Sequence, residues 1–166
     1  SAKDTVRVQE LKLIVAMPRE HATLFEVPGD WKKRHELAKI TGLLPEKQGR
    51  LWDSKSIPYN RGYRARHGNM PPFVWLGDDE RGLTFSCTSE QGMSNDGDKP
   101  AATVERRGDQ VVLTVWTVNR PFTLDTTRPF EFALQATPYK PMKDKWRLWR
   151  TSVPKNHWLY GVYEKN

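Results

Sequence analysis

The sequence predicts an all-β chain: an antiparallel β-sandwich with a long irregular insertion and room for one short helix. Three observations carry that prediction. Between Pro72 and Pro138 apolar residues alternate with polar ones, turn residues interrupt at short intervals, and no apolar run approaches helical length. Four or five strands are expected in this stretch.

Taken in order, Thr5 to Met17 reads as one long strand, with Val6 and Val8 and then Leu11, Leu13, Val15 and Met17 as its apolar set. The parity of that set changes near Gln9-Glu10, which predicts a β-bulge there. Pro18 ends the ladder, since proline has no N–H to donate. From Arg19 to Arg66 periodicity is weak, and an irregular insertion is expected over about residues 19–70. Within it Trp31 to Ile40 can form a short helix, with Asp30 as N-cap and Gly42 beyond its end.

Two hairpins anchor the β reading. Phe73–Leu76 and Leu83–Cys87 flank Gly77-Asp78-Asp79-Glu80-Arg81-Gly82, whose glycines permit positive φ in a reversal. Ala102–Glu105 and Val111–Val118 flank Arg106-Arg107-Gly108-Asp109, a tighter turn. In the last strand Leu113, Val115 and Thr117 alternate with Val112, Thr114, Trp116 and Val118, so both faces carry apolar residues and both are expected to be covered. Ser94-Asn95-Asp96-Gly97-Asp98 reads as a turn; it lacks the spaced ligands and the bidentate glutamate of a calcium loop. Residues 1–142 are assigned to the sandwich. Residues 143–166 are assigned to a linker-like end with a last strand near His157–Tyr163.

The chain has 166 residues, enough for one domain that buries about two-thirds of its extended surface. Hydrophobic content is only 37%, yet seven Trp, six Phe and five Tyr supply large buried areas, which argues against disorder of the whole chain. Lys and Arg number 27 against 20 Asp and Glu, a net charge of +7 that suits nucleic acid, an acidic polysaccharide or an acidic neighbouring domain, and equally a plain basic surface. The single cysteine, Cys87, excludes an intrachain disulfide and a thiol-rich metal site, and its strand context suits a small buried hydrophobe. It is compatible with cytosol and periplasm alike. No stretch has the length of a membrane span and no signal peptide is visible. The chain starts at Ser1, which reads as a processed form or an excised segment.

The run FVWLGDDERGL, followed by LTVWTVNRPFTLD and EFALQATPYKPM, resembles the non-catalytic β-rich domain that precedes the barrel in large bacterial glycoside hydrolases related to family 123. The resemblance extends from Trp75 to about Met142, with a weaker echo in Gly49-Arg50-Leu51-Trp52-Asp53-Ser54. It implies a supersandwich-like accessory segment of a carbohydrate-active enzyme, in a periplasmic or secreted setting, with glycan or an adjacent catalytic barrel as partner. It does not imply catalysis by this segment. In that family the catalytic Asp-Glu pair lies in the barrel, and Asp79-Glu80 stands in the sandwich, so the role is not carried over.

The residues themselves also argue against a catalyst. Glycoside cleavage usually needs two carboxyls about 5 to 10 Å apart or one acid aided by the substrate. Asp78, Asp79 and Glu80, consecutive on a hairpin tip, are expected to diverge and stay solvated. A barrel needs about 250 residues. His21, His35, His67 and His157 accompany no nucleophile elbow, and no HExxH zinc motif occurs. No metal or cofactor is expected.

Binding residues are easier to nominate. Trp52, Trp146, Trp149 and Trp158, outside the clear strands, are expected at a surface or interface, although Trp146 and Trp149 can equally wrap over the same core. Trp75 and Trp116, in strand patterns, are expected in the core. Arg61, Tyr63, Arg64 and Arg66 combine guanidinium forks with an aromatic face, which suits acidic sugars or nucleic acid, and suits equally an exposed loop docked on the sandwich. Three functions follow: a silent accessory module contacting glycan, a stand-alone basic module for nucleic acid or anionic polysaccharide, and a glycan-cleaving enzyme acting alone.

Overall fold

The structure is a computed structural model that describes residues 5–27, 42–56, 69–138, 150–152 and 161–163. The expected helix over Trp31–Ile40 lies outside the described residues. Those described form strands and two single turns of 3-10 helix, and every strand pairing is antiparallel. The chain is all-β.

Two sheets make up the body. β2 (Leu11–Pro18), β9 (Gln110–Val118), β8 (Ala102–Arg107) and β5 (Gly49–Asp53) form a four-stranded sheet in that order. β11 (Ala133–Thr137), β7 (Gly82–Ser86), β6 (Phe73–Gly77), β3 (Leu24–Glu26) and β4 (Gly42–Leu43) form a five-stranded one. β1 (Val6–Val8) pairs with β10 (Phe122–Leu124), and β12 (Arg150–Ser152) with β13 (Gly161–Tyr163), the latter within the stretch expected to hold a last strand.

The sheets share one core. Val111, Leu113 and Val115 of β9, Ala102 and Val104 of β8, and Trp52 of β5 meet Val74 and Leu76 of β6, Phe85 of β7 and Phe25 of β3 in a single buried cluster. Leu13, Val15 and Met17 of β2 pack against its edge. Each buried Val, Leu or Phe among them contributes about 1.5–3 kcal/mol, and period-two alternation delivers all of these residues but Trp52 to one layer.

The stretch from Pro72 to Pro138 holds six strands, β6 to β11, rather than four or five. The weakly periodic span from Arg19 supplies β3, β4 and β5, which join both sheets. Strands of two to five residues are too short for alternation to show. The expected parity break near Gln9-Glu10 is where the chain leaves β1 for β2, and the β2–β9 register slips between Leu11 and Lys12. β2 ends at Pro18, as expected.

The two hairpins use glycine differently. At the tight turn after β8, Gly108 has φ of 60°, a conformation that costs glycine little. Gly77 and Gly82 are not in that region; a side chain at Gly82 would meet Trp75, and one at Gly77 would meet the Arg81 carbonyl and Trp75. A Cβ on Gly82 would lie 2.5 to 2.7 Å from the Trp75 indole, whose N–H donates to Thr137 Oγ1 at 3.1 Å. Trp75, half-buried, therefore lies flat over the hairpin on the face away from the core, not within it.

Candidate functional site

A groove of about 450 Å³ opens on the four-stranded sheet, on the face turned away from the core. Its floor includes Trp116, which follows the core residue Val115 in β9 and so points the other way. The expectation that Trp116 is core is corrected: it is half-buried and lines the groove, while its outward-facing neighbours Thr114 and Val118 are buried. From Val111 to Val118 the strand is covered on both sides, as expected, except at this tryptophan.

The walls come from both ends of the sheet. Gln9 and Glu10 sit at the break between β1 and β2, Arg50 on β5, Lys99 and Pro100 before β8, and Asn119 and Pro121 after β9. The Ser94–Asp98 segment fixes one wall. Ser94 donates its N–H to Thr117 O at 2.9 Å, and its own carbonyl accepts from the N–H groups of Asn119 and Arg120. Asn119 Oδ1 accepts from Asp96 N–H at 2.6 Å, and its Nδ2 donates to Pro100 O at 3.1 Å. Asp96 Oδ1 in turn accepts from Asp98 N–H, so this segment is a turn whose first acid is engaged with its own backbone. Ser54, fully buried, accepts the N–H groups of Ala101 and Ala102 at 2.9 and 3.1 Å, which anchors the chain just past Lys99 and Pro100.

Charge in the groove is uneven. Glu10 accepts a hydrogen bond from Lys12 Nζ at 2.6 Å, and that ammonium, helped by the Trp116 indole N–H, holds the carboxyl below its ordinary value. Arg50 stands 3.9 Å from Asp53 and 3.7 Å from Glu105, beyond hydrogen-bonding distance. Glu105 is bonded instead to Arg107, through two contacts of 3.1 and 2.8 Å.

Of the nominated residues, Trp52 is corrected: it is 7% exposed and packs in the core, its ring 5.2 Å from that of Phe25. The β5–β8 register shifts between Arg50 and Trp52, and the extra residue turns Trp52 inward opposite Val104. Arg61, Tyr63, Arg64, Arg66, Trp146, Trp149 and Trp158 lie outside the described residues. Trp116 and Arg50 were not nominated. The signal that could have found Trp116 is the polar and proline-containing stretch Asn119-Arg120-Pro121 just beyond it, which ends the strand.

A second cluster sits at the tip of the first hairpin. Asp78 was expected to be solvated; its side chain is only 16% exposed. Burial alone would raise its pKa, but the N–H groups of Glu80 and Arg81, each 2.7 Å from Oδ1, and His21, whose Nδ1 is 3.1 Å from Oδ2, hold it below its ordinary value. A carboxyl stabilised as an anion and bonded to its own turn caps that turn; it is a poor proton donor. Among the described residues no group of three or more His, Cys, Asp or Glu is arranged to hold a metal, and no helix is long and apolar enough to cross a membrane. Cys87 is buried, its thiol 3.6 Å from Pro71 O.

No protein-family model, curated protein or solved structure matches the chain.

Proposed function

We propose that this chain is an accessory β-sandwich module of a carbohydrate-active protein, catalytically silent by itself, that supports a barrel domain and holds glycan in the groove at Trp116. The observation that carries the reading is the half-buried indole of Trp116 at the floor of a groove on a rigid sheet. An aromatic face offers an apolar platform to the C–H groups of a sugar ring, and polar groups around it meet hydroxyls. The volume falls within the range of about 300–1,000 Å³ typical of small-ligand sites. The resemblance of the FVWLGDDERGL, LTVWTVNRPFTLD and EFALQATPYKPM segments to the family 123 accessory domain supports the same reading.

The test is retention of the purified chain in native gels cast with a panel of neutral and acidic polysaccharides. Wild type is retarded by at least one of them, Trp116→Ala migrates freely while keeping its circular dichroism, and neither protein cleaves a chromogenic glycoside. Free migration of wild type in every gel, or equal retardation of Trp116→Ala, overturns the reading.

A further inference from the structure

Resting on the glycan reading, we infer that the sugar held at Trp116 is an acidic pyranose, its carboxylate or sulfate group meeting Arg50 and Lys99 while the ring lies on the indole. Both cations line the groove with Trp116. Arg50 is 53% exposed, and among the described residues its guanidinium forms no hydrogen bond. Its two acidic neighbours stand at 3.7 and 3.9 Å, and the nearer of them, Glu105, is bonded by Arg107. The Lys99 ammonium has no acidic partner among the described residues; only its backbone N–H is engaged, with Asp96 O at 3.2 Å.

The one acid in the lining does not cancel this charge. Glu10 is held by Lys12 at 2.6 Å, a cation of its own, so it takes neither Arg50 nor Lys99. The groove therefore presents one cation without an acidic partner among the described residues, Lys99, and one, Arg50, that is loosely paired and free of hydrogen bonds, and an anion brought by a ligand can bridge the two. An arginine fork is suited to a planar carboxylate and to the oxygens of a sulfate, in bonds stronger than those to neutral hydroxyls. A neutral sugar uses the tryptophan, leaves the Lys99 charge unanswered and leaves Arg50 with its two longer ion pairs.

The experiment is isothermal titration calorimetry in about 150 mM salt, where interactions beyond roughly 8 Å are screened. The ligands are oligogalacturonate, its methyl ester, a sulfated galactan oligosaccharide and a neutral galactan oligosaccharide. The proteins are wild type, Arg50→Gln, Lys99→Gln, Trp116→Ala and Lys47→Gln, the last removing one exposed charge outside the groove. At least one acidic ligand is expected to bind about tenfold more tightly than the neutral ones, an advantage that Arg50→Gln and Lys99→Gln each reduce by about tenfold and Lys47→Gln leaves within about twofold. The tighter of the oligogalacturonate and sulfated arms names the acid.

Binding of both acidic ligands no tighter than that of their neutral counterparts, lost in Trp116→Ala, overturns this inference and leaves the glycan reading standing. Equal losses in Arg50→Gln and Lys47→Gln attribute binding to net charge and overturn the inference. Absence of binding to every ligand overturns this inference, and free migration of wild type in every polysaccharide gel overturns the glycan reading as well.

Discussion

Phe25 and Trp52 meet across the sandwich with ring centroids 5.2 Å apart and planes tilted by 54°. One ring comes from β3 of the five-stranded sheet and the other from β5 of the four-stranded sheet, so this contact joins the two layers. Trp52→Ala is expected to cost about 3–5 kcal/mol in urea unfolding, the range for emptying a buried aromatic site. Trp52→Phe retains the tilted pair and is expected to cost less. Equal losses for the two variants would show that the ring contact does not matter.

The contact of Trp75 with Gly82 supplies a sharper test. Gly82→Ala is expected to destabilise by about 1–3 kcal/mol, because the new methyl meets an indole fixed by its bond to Thr137. In a Trp75→Leu background the same change should cost far less, and a thermodynamic cycle measures that coupling. Additive losses would place the strain elsewhere in the hairpin.

Asp78 ties the stability of the first hairpin to pH. Its carboxyl has a lower pKa folded than unfolded, so its contribution is fully present above the ordinary carboxylate value of 3.8 and is lost as pH falls through the folded value. Asp78→Asn is expected to be less stable than wild type at neutral pH by about 1–3 kcal/mol, the scale of hydrogen bonds to a charged group. The gap should narrow in chemical unfolding as pH drops below 3.8. A gap independent of pH would deny the role of the charge.

Ser54 links stability to the groove. Its hydroxyl takes two backbone N–H groups at the start of β8, directly after Lys99 and Pro100. Ser54→Ala leaves both amides without that acceptor in a buried site, and a loss of about 2–3 kcal/mol is expected in thermal or urea unfolding. Glycan retention should weaken as well, although Ser54 does not line the groove. Unchanged retention with reduced stability would mean that the wall holds its shape without this anchor.

How much of this was legible depends on length and on distance along the chain. β6 to β9 could be read because each is five residues or longer, alternates, and meets its neighbour through a local turn such as Gly108-Asp109. β3 and β4, three and two residues long, carry no period to read. Trp52 was placed at a surface because the short β5 was not read as a strand, and its inward turn rests on a register shift visible only against β8. Trp116 was misread for the opposite reason: its parity was clear, but with both faces of β9 apolar, parity does not say which face opens. Asp78 looked like a solvated tip because its partner His21 lies 57 residues away.

The β2–β9 ladder has a consequence for synthesis of the chain. Leu11 is matched to Val118 and Pro18 to Gln110, so one border of the four-stranded sheet is made about a hundred residues before its mate. On a ribosome, β2 emerges with an unsatisfied edge and the half-apolar row Leu13, Val15 and Met17 uncovered until β9 follows, and closure of so distant a pair is slow. Any shortened version that stops before Val118 strands that early segment.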